Sequence, residues 1–168
     1  EQFPAGATSS DLIAPAVTGL GFLDAVSDAD LIALSDPNDA NGDGISGRPH
    51  WNTVPTYVTL RPNSISQNGR YISRIGKKGA AYDLLHQTSA AYNQDMGITS
   101  LFEPIDPYSG LEADSEVSTQ TVNDVVFYLK TLKAPIPRNQ DDPDVIAGKQ
   151  TFSQIQCASC HTPTLQTS

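Results

Sequence analysis

The chain has 168 residues, 38 % of them hydrophobic and 17 % charged, with a formal net charge of -9. That length buries one core, or one and part of a second, and the acidic balance argues against nucleic acid and anionic membranes while suiting a basic redox partner. No apolar run approaches the length of a membrane span, and 12 Gly with 12 Pro predict loops in place of long continuous elements.

From the start of the chain, Asp11 to Val26 carries Leu12, Ile13, Val17, Leu20, Phe22 and Leu23 but is broken by Pro15, Gly19 and Gly21. It predicts short packed segments rather than one helix. Ser27 followed by Asp30 resembles a capping box that opens a short helix through Leu31, Ile32 and Leu34, with Pro37 as its stop. The next stretch alternates oxygen-bearing side chains. Asp39, Asn41 and Asp43 stand at positions one, three and five of an EF-hand-like calcium loop, Gly44 at six and the Ile45 carbonyl at seven. His50 occupies position twelve, where a bidentate glutamate belongs, so calcium would need a further carboxylate such as Asp36. The same residues also build a tight loop closed by Asx turns without any metal.

Residues Thr53 to Leu60 are β-branched enough for a short hairpin strand, although Pro55 and Pro62 demote it. Arg70, Arg74, Lys77 and Lys78 hold four of the ten basic residues. Such a cluster meets a carboxylate-bearing cofactor or substrate, or is simply a solvated loop, which is the plainer expectation. Gly79 to Gln94 reads as a helix with Tyr82, Leu85, Ser89 and Tyr92 on one side and Leu84, Thr88 and Ala91 beside them. His86 on it is a ligand, an acid–base group or a structural histidine. Ser118 or Thr119 caps a third helix whose apolar stripe is Val122, Val125, Val126, Leu129 and Leu132, ended by Pro135 and Pro137. Asp142 and Pro143 then start a helix with Val145, Ile146, Phe152 and Ile155 near one face, leading to Cys157.

Cys157-Ala-Ser-Cys160-His161 uses both cysteines of the chain. Cys-x-x-Cys-His is the attachment sequence of a c-type haem: two thiols spaced for the two vinyl groups of one porphyrin, and an imidazole for the iron. A thioredoxin-like pair would want a βαβ pattern, a zinc site would need a fourth ligand from far away, and a disulfide would leave His161 unexplained. Covalent haem implies an exported or periplasmic protein. Met96, the only methionine, either ligates a low-spin iron or is a core or loop methionine. The approach to the motif resembles the Gly-Lys-x-x-Phe pattern of class I cytochrome domains. That likeness implies Gly148 at a close helix crossing and Phe152 over the haem edge.

Five segments in order resemble the di-haem oxidoreductase family, once a domain of unknown function described as thiol oxidoreductases. They are Ile13–Ala25, Asp43–Pro49, Gln87–Ser100, Val125–Leu132 and Cys157–Leu165. The resemblance implies a mainly α protein, with cytochrome c-like helices and long irregular loops, related to bacterial di-haem cytochrome c peroxidases. It implies a larger periplasmic enzyme with two covalent haems, of which this chain is a fragment. Residues 1–138 would form a central loop-rich helical region, and 139–168 the start of a C-terminal haem domain. One haem would accept electrons and an open-coordinate one would reduce peroxide, with this stretch inactive by itself. Only seven residues follow His161. If the chain stops there, the expectation is that haem is not retained and that Cys157 and Cys160 remain free or pair as a disulfide. Where relatives read Arg-Phe-Gly-Trp-Lys, this chain has Arg74-Ile-Gly-Lys-Lys78, so a role for that tryptophan is in doubt. The opposing expectations are a non-enzymatic electron-transfer cytochrome and a calcium-stabilised structural module.

Overall fold

A computed structural model describes Gly6 and residues 13–167, so Asp11 and Leu12 of the first apolar stretch lie outside the described residues. The architecture is mainly α with a small sheet. Its helices are α1 (Leu20–Asp24), α2 (Asp28–Ala33), α3 (Leu84–Met96), α4 (Thr119–Thr131), α5 (Pro143–Gln154) and α6 (Cys157–Cys160).

Local chemistry sets most helix ends. The Ser27 side chain accepts from the Asp30 N–H and starts α2, and Ser118 does the same for α4 through Thr121. Asp83 caps α3 by accepting from the His86 N–H. The helix therefore begins at Leu84 and not at Gly79, where periodicity would place it, because the preceding residues serve a bridge between Ile75 and Ala81. At its other end Gly97 takes a left-handed φ of 70°, and the Ile98 N–H reaches back to the Tyr92 carbonyl. With the Gly97 N–H on the Asn93 carbonyl, this is an αL closure.

The strands β1 (Trp51–Asn52), β2 (Ser66–Gln67) and β3 (Arg70–Ile72) form an antiparallel sheet in the order β1-β3-β2. Thr53 to Leu60 is not a strand; Pro55 and the turn in which the Val58 N–H donates to the Pro55 carbonyl prevent a continuous ladder. The hairpin is made instead at Asn68-Gly69, both with positive φ, which is the geometry of a two-residue I′ turn.

The core lies where α1 and α3 meet α4. Ile75, Ala81, Leu84 and Val126 are buried together, with Leu20, Leu23, Leu85 and Leu129 packed around them. Gly21 permits a close helix approach, since a Cβ there would overlap the Lys130 carbonyl of α4. Backbone cannot yield as a side chain can. Gly21→Ala is therefore expected to cost about 1–3 kcal/mol by overpacking, read as a lower urea midpoint. An unchanged midpoint would mean that α1 does not sit against α4 in this way.

Because regular structure is sparse, buried ion pairs tie the irregular middle to the helices. Asp28 of α2 pairs with Arg74 and accepts from the Ile65 N–H at 2.8 Å. Asp24 of α1 pairs with Arg61, whose guanidinium also lies 4.3 Å from the Tyr82 ring centroid. The expectation of a solvated basic loop is thus corrected at Arg74, which is 7 % exposed and also donates to the Val26 carbonyl. Arg70, Lys77 and Lys78 are exposed, as a solvated loop requires.

Candidate functional site

Asp142 caps α5 by accepting from the Asp144 N–H at 2.9 Å, with Pro143 in the first turn where its missing donor is not needed. The helix ends at Gln154, Gln156 turns left-handed at φ 64°, and α6 begins at once with Cys157. The two cysteines are the first and last residues of this single helical turn, so their side chains project on the same side. The His161 N–H closes the turn on the Cys157 carbonyl at 2.8 Å, which places the imidazole directly after the thiols. Both thiols are free, Cys157 half-buried and Cys160 exposed. The disulfide alternative is not realised.

The imidazole of His161 sits 6.1 Å, centroid to centroid, from the Phe152 ring. The structure thus gathers all four residues that the sequence assigns to the motif. No residue of α5 or α6 is buried. Ile146, Phe152 and Ile155 are 45 %, 39 % and 66 % exposed, so the apolar face of α5 is uncovered beside the thiols and the imidazole. An uncovered apolar face with two adjacent thiols and a nitrogen donor is the donor set and surface that a porphyrin needs. Gly148 departs from its implied role, because a Cβ there would meet nothing within 4 Å. Among the described residues no second helix crosses α5 at that point.

Ser159, Cys160 and Thr162 form one wall of a cleft of about 470 Å³ against the body of the protein. Arg48, His50 and Arg74 line the same cleft. His50 donates from Nδ1 to the Lys78 carbonyl at 2.7 Å, since a carbonyl only accepts. Sequence periodicity had no means of placing His50 near Cys160; the bond to Lys78 spans 28 residues and forms only in the folded chain.

Met96 does not join this cluster. It ends α3, is 56 % exposed and lines a different groove between α3 and α4. His86 is half-buried, and its Nδ1 accepts from the Tyr82 N–H at 3.2 Å, a structural use of the ring. Burial lowers its pKa from the ordinary 6.5, against the opposing pull of Asp83 and Glu103. A folded value below the unfolded one means that the neutral ring's contribution is full above about pH 6.5 and is lost as the pH falls through the folded value. His86→Gln should therefore differ most from wild type in urea midpoint near pH 7.5 and less near pH 5. A gap that widens on acidification would reverse this assignment.

In the acidic loop each side chain already has a backbone partner. Asp39 accepts from the Gly44 N–H, Asn41 from the Asp43 N–H at 3.0 Å and Asp43 from the Ile45 N–H at 2.8 Å. Asp36, the extra carboxylate considered for calcium, accepts from Ala40 and Asn41, and these bonds hold it below the usual carboxylate range. Among the described residues no group of three or more His, Cys, Asp or Glu is arranged to hold a metal ion. His50 faces the Cys160 cleft and the Lys78 carbonyl instead of closing the loop.

Among the described residues no helix is long and apolar enough to cross a membrane. Residues 10–168 match the family described as "Di-haem oxidoreductase, putative peroxidase". The chain matches no curated protein and no solved structure.

Proposed function

Since the chain belongs to the di-haem oxidoreductase family, we propose that Cys157, Cys160 and His161 hold one of its haems as a covalent c-type group and that the protein carries out peroxidase-like electron transfer. The observation behind this reading is the gathering of both free thiols, His161 and Phe152 beside the uncovered apolar face of α5. When bound, the haem would supply the one-electron chemistry.

The chain's own residues have definable tasks in that reading. The two thiols fix the porphyrin at its edge, so that orientation does not depend on iron ligation alone. The His161 nitrogen would ligate the iron. Phe152, Ile146 and Ile155 would pack on one side of the haem and shield it from water. Arg48, which lines the same cleft as Cys160, is placed to meet a carboxylate at the haem rim.

This assignment divides the chain into a body, residues 1–138, and a haem-bearing segment, 139–168. It implies maturation outside the cytoplasm, in a periplasm or its equivalent. The net charge of -9 suits a basic electron donor. The loop of Asp39, Asn41, Asp43 and Ile45 is assigned as a turn closed by its own side chains, with no calcium required.

The test is the optical spectrum of the protein matured with a c-type haem attachment system. Haem that stays with the chain after denaturation supports the attachment. Carbon monoxide binding to the ferrous protein would then favour an open iron and the peroxidase activity, while no binding would leave electron transfer alone. Release of all colour on denaturation would end the covalent reading.

A further inference from the structure

The loop between α3 and α4 turns large apolar side chains outward. Leu101 is 73 % exposed, Tyr108 98 % and Leu111 69 %, with Ile105 at 47 %. Apolar residues exposed singly are ordinary, but four on one braced loop mark a contact surface. Bonds to the body do the bracing. Asn93, a buried residue of α3, donates from Nδ2 to the Ile105 carbonyl at 2.8 Å, the Thr99 hydroxyl donates to the Asp114 carbonyl at 2.8 Å, and the Tyr57 hydroxyl donates to Glu103 at 2.6 Å. Within the loop Ile105 bridges Glu112, and the Asp106 N–H donates to the Leu111 carbonyl at 2.9 Å. The Asp106 carboxylate accepts from the N–H groups of Tyr108 and Ser109. Ile105 and Leu111 thus stand on adjoining arms with Tyr108 in the turn between them. A loop held in this way loses little conformational freedom when a partner lands on it.

Charge selects the partner. Glu103, Asp106, Glu112, Asp114 and Glu116 fall in the same segment, which contains no Lys or Arg. Glu112, Asp114 and Glu116 are exposed. Among the described residues no group of three or more His, Cys, Asp or Glu is arranged to hold a metal ion, so these carboxylates do not converge on a cation. A second copy of this chain would bring the same carboxylates against them, and like charges facing each other are costly. An anionic membrane is repelled for the same reason. Apolar side chains interspersed with acid fit a protein face that carries apolar residues among lysines and arginines.

We propose that the loop of residues 101–116 is the docking surface for a basic redox protein, with Tyr108 and Leu111 as its apolar anchors and Glu112 and Asp114 steering the partner's cationic face. In naming an electron donor the proposal rests on the electron-transfer reading above, and its test reads binding alone so that the two fail separately.

The probe is a lysine-rich c-type cytochrome, titrated by calorimetry into the protein matured with a haem attachment system, at low and at high ionic strength. Micromolar binding is expected at low ionic strength, falling steeply with salt. Tyr108→Ser/Leu111→Ser should weaken it about tenfold or more. Glu112→Lys/Asp114→Lys should weaken it by a similar factor at low ionic strength and by less at high. Asp95→Lys/Asp141→Lys makes the same change of net charge at exposed residues outside the loop and should leave affinity within about threefold. Every side chain replaced is exposed, and circular dichroism checks that each variant folds.

Three results overturn the proposal. They are no binding at low ionic strength, an equal loss of affinity in the loop and control charge variants, and a dimer of this chain that Tyr108→Ser/Leu111→Ser dissociates in sedimentation. The electron-transfer reading fails by a different sign, which is that the chain carries no haem after maturation, whatever the cytochrome does.

Discussion

Replacing both Cys157 and Cys160 with serine is expected to take the matured protein from one covalent haem to none. Each attachment forms by addition of a thiol across a vinyl group: the sulfur bonds to one carbon, the thiol hydrogen ends on the neighbouring carbon, and no electron is gained or lost overall. Serine offers a far weaker nucleophile at that position, so the bond does not form. Single variants should retain haem through one thioether. His161→Ala should retain covalent haem and change the spectrum, because it removes the nitrogen donor and leaves both sulfurs. The measurement is absorbance of the chain after denaturation and removal of free haem. Colour that remains with both serines in place would mean that the attachment is elsewhere and would remove the premise of the site. The effect is large because no residue of α5 or α6 is buried, so little packing would hold the porphyrin there in place of the bonds.

Arg74→Met should destabilise the fold more than any single surface change. Arg74 and Asp28 side chains are 3 % and 1 % exposed, and the guanidinium also serves the Val26 carbonyl. Removing the cation leaves a carboxylate buried without its counter-charge, which costs about 3–5 kcal/mol. Arg74→Met with Asp28→Leu should recover a large part of that loss, since two apolar groups of similar volume leave no charge in the interior. Recovery stays incomplete because the Ile65 N–H loses the Asp28 oxygen it now donates to. Urea unfolding of the two variants gives the comparison. A single variant within about 0.5 kcal/mol of wild type would show that water reaches this pair.

Several elements were legible because their causes are local. Ser27, Ser118 and Asp142 cap the helices that their sequence context predicts, since a cap involves a side chain and an N–H two or three residues on. The valine stripe of α4 and the apolar positions of α5 follow from helical spacing. The Asn68-Gly69 hairpin was equally local, and its dipeptide is a strong signal that the flanking Ser66 and Gln67 obscured by offering no alternation of apolar residues. Thr53 to Leu60 has a β-branched composition but forms no strand, because Pro55 interrupts it and Pro62 follows it, as their positions in the sequence indicate.

The basic cluster shows the opposite case. From spacing alone Arg70, Arg74, Lys77 and Lys78 are alike, yet only Arg74 is buried, because Asp28 lies 46 residues away in the chain and next to it in the fold. Gly148 and Ile155 are likewise indistinguishable in sequence from residues that pack against a second helix, and the structure leaves them open.

The sequence by itself determined the chemistry available: two thiols and an imidazole within five residues, carried at the end of a capped helix. Covalent and short-range demands of that kind are met by neighbours along the chain. Only the tertiary structure decided which groups share a cavity. It placed His50 and Cys160 in one cleft, seated Met96 and the unpartnered Thr88 in a separate groove and buried Arg74 against Asp28. Each depends on chain segments far apart in sequence, brought together by burial of the α1, α3 and α4 core.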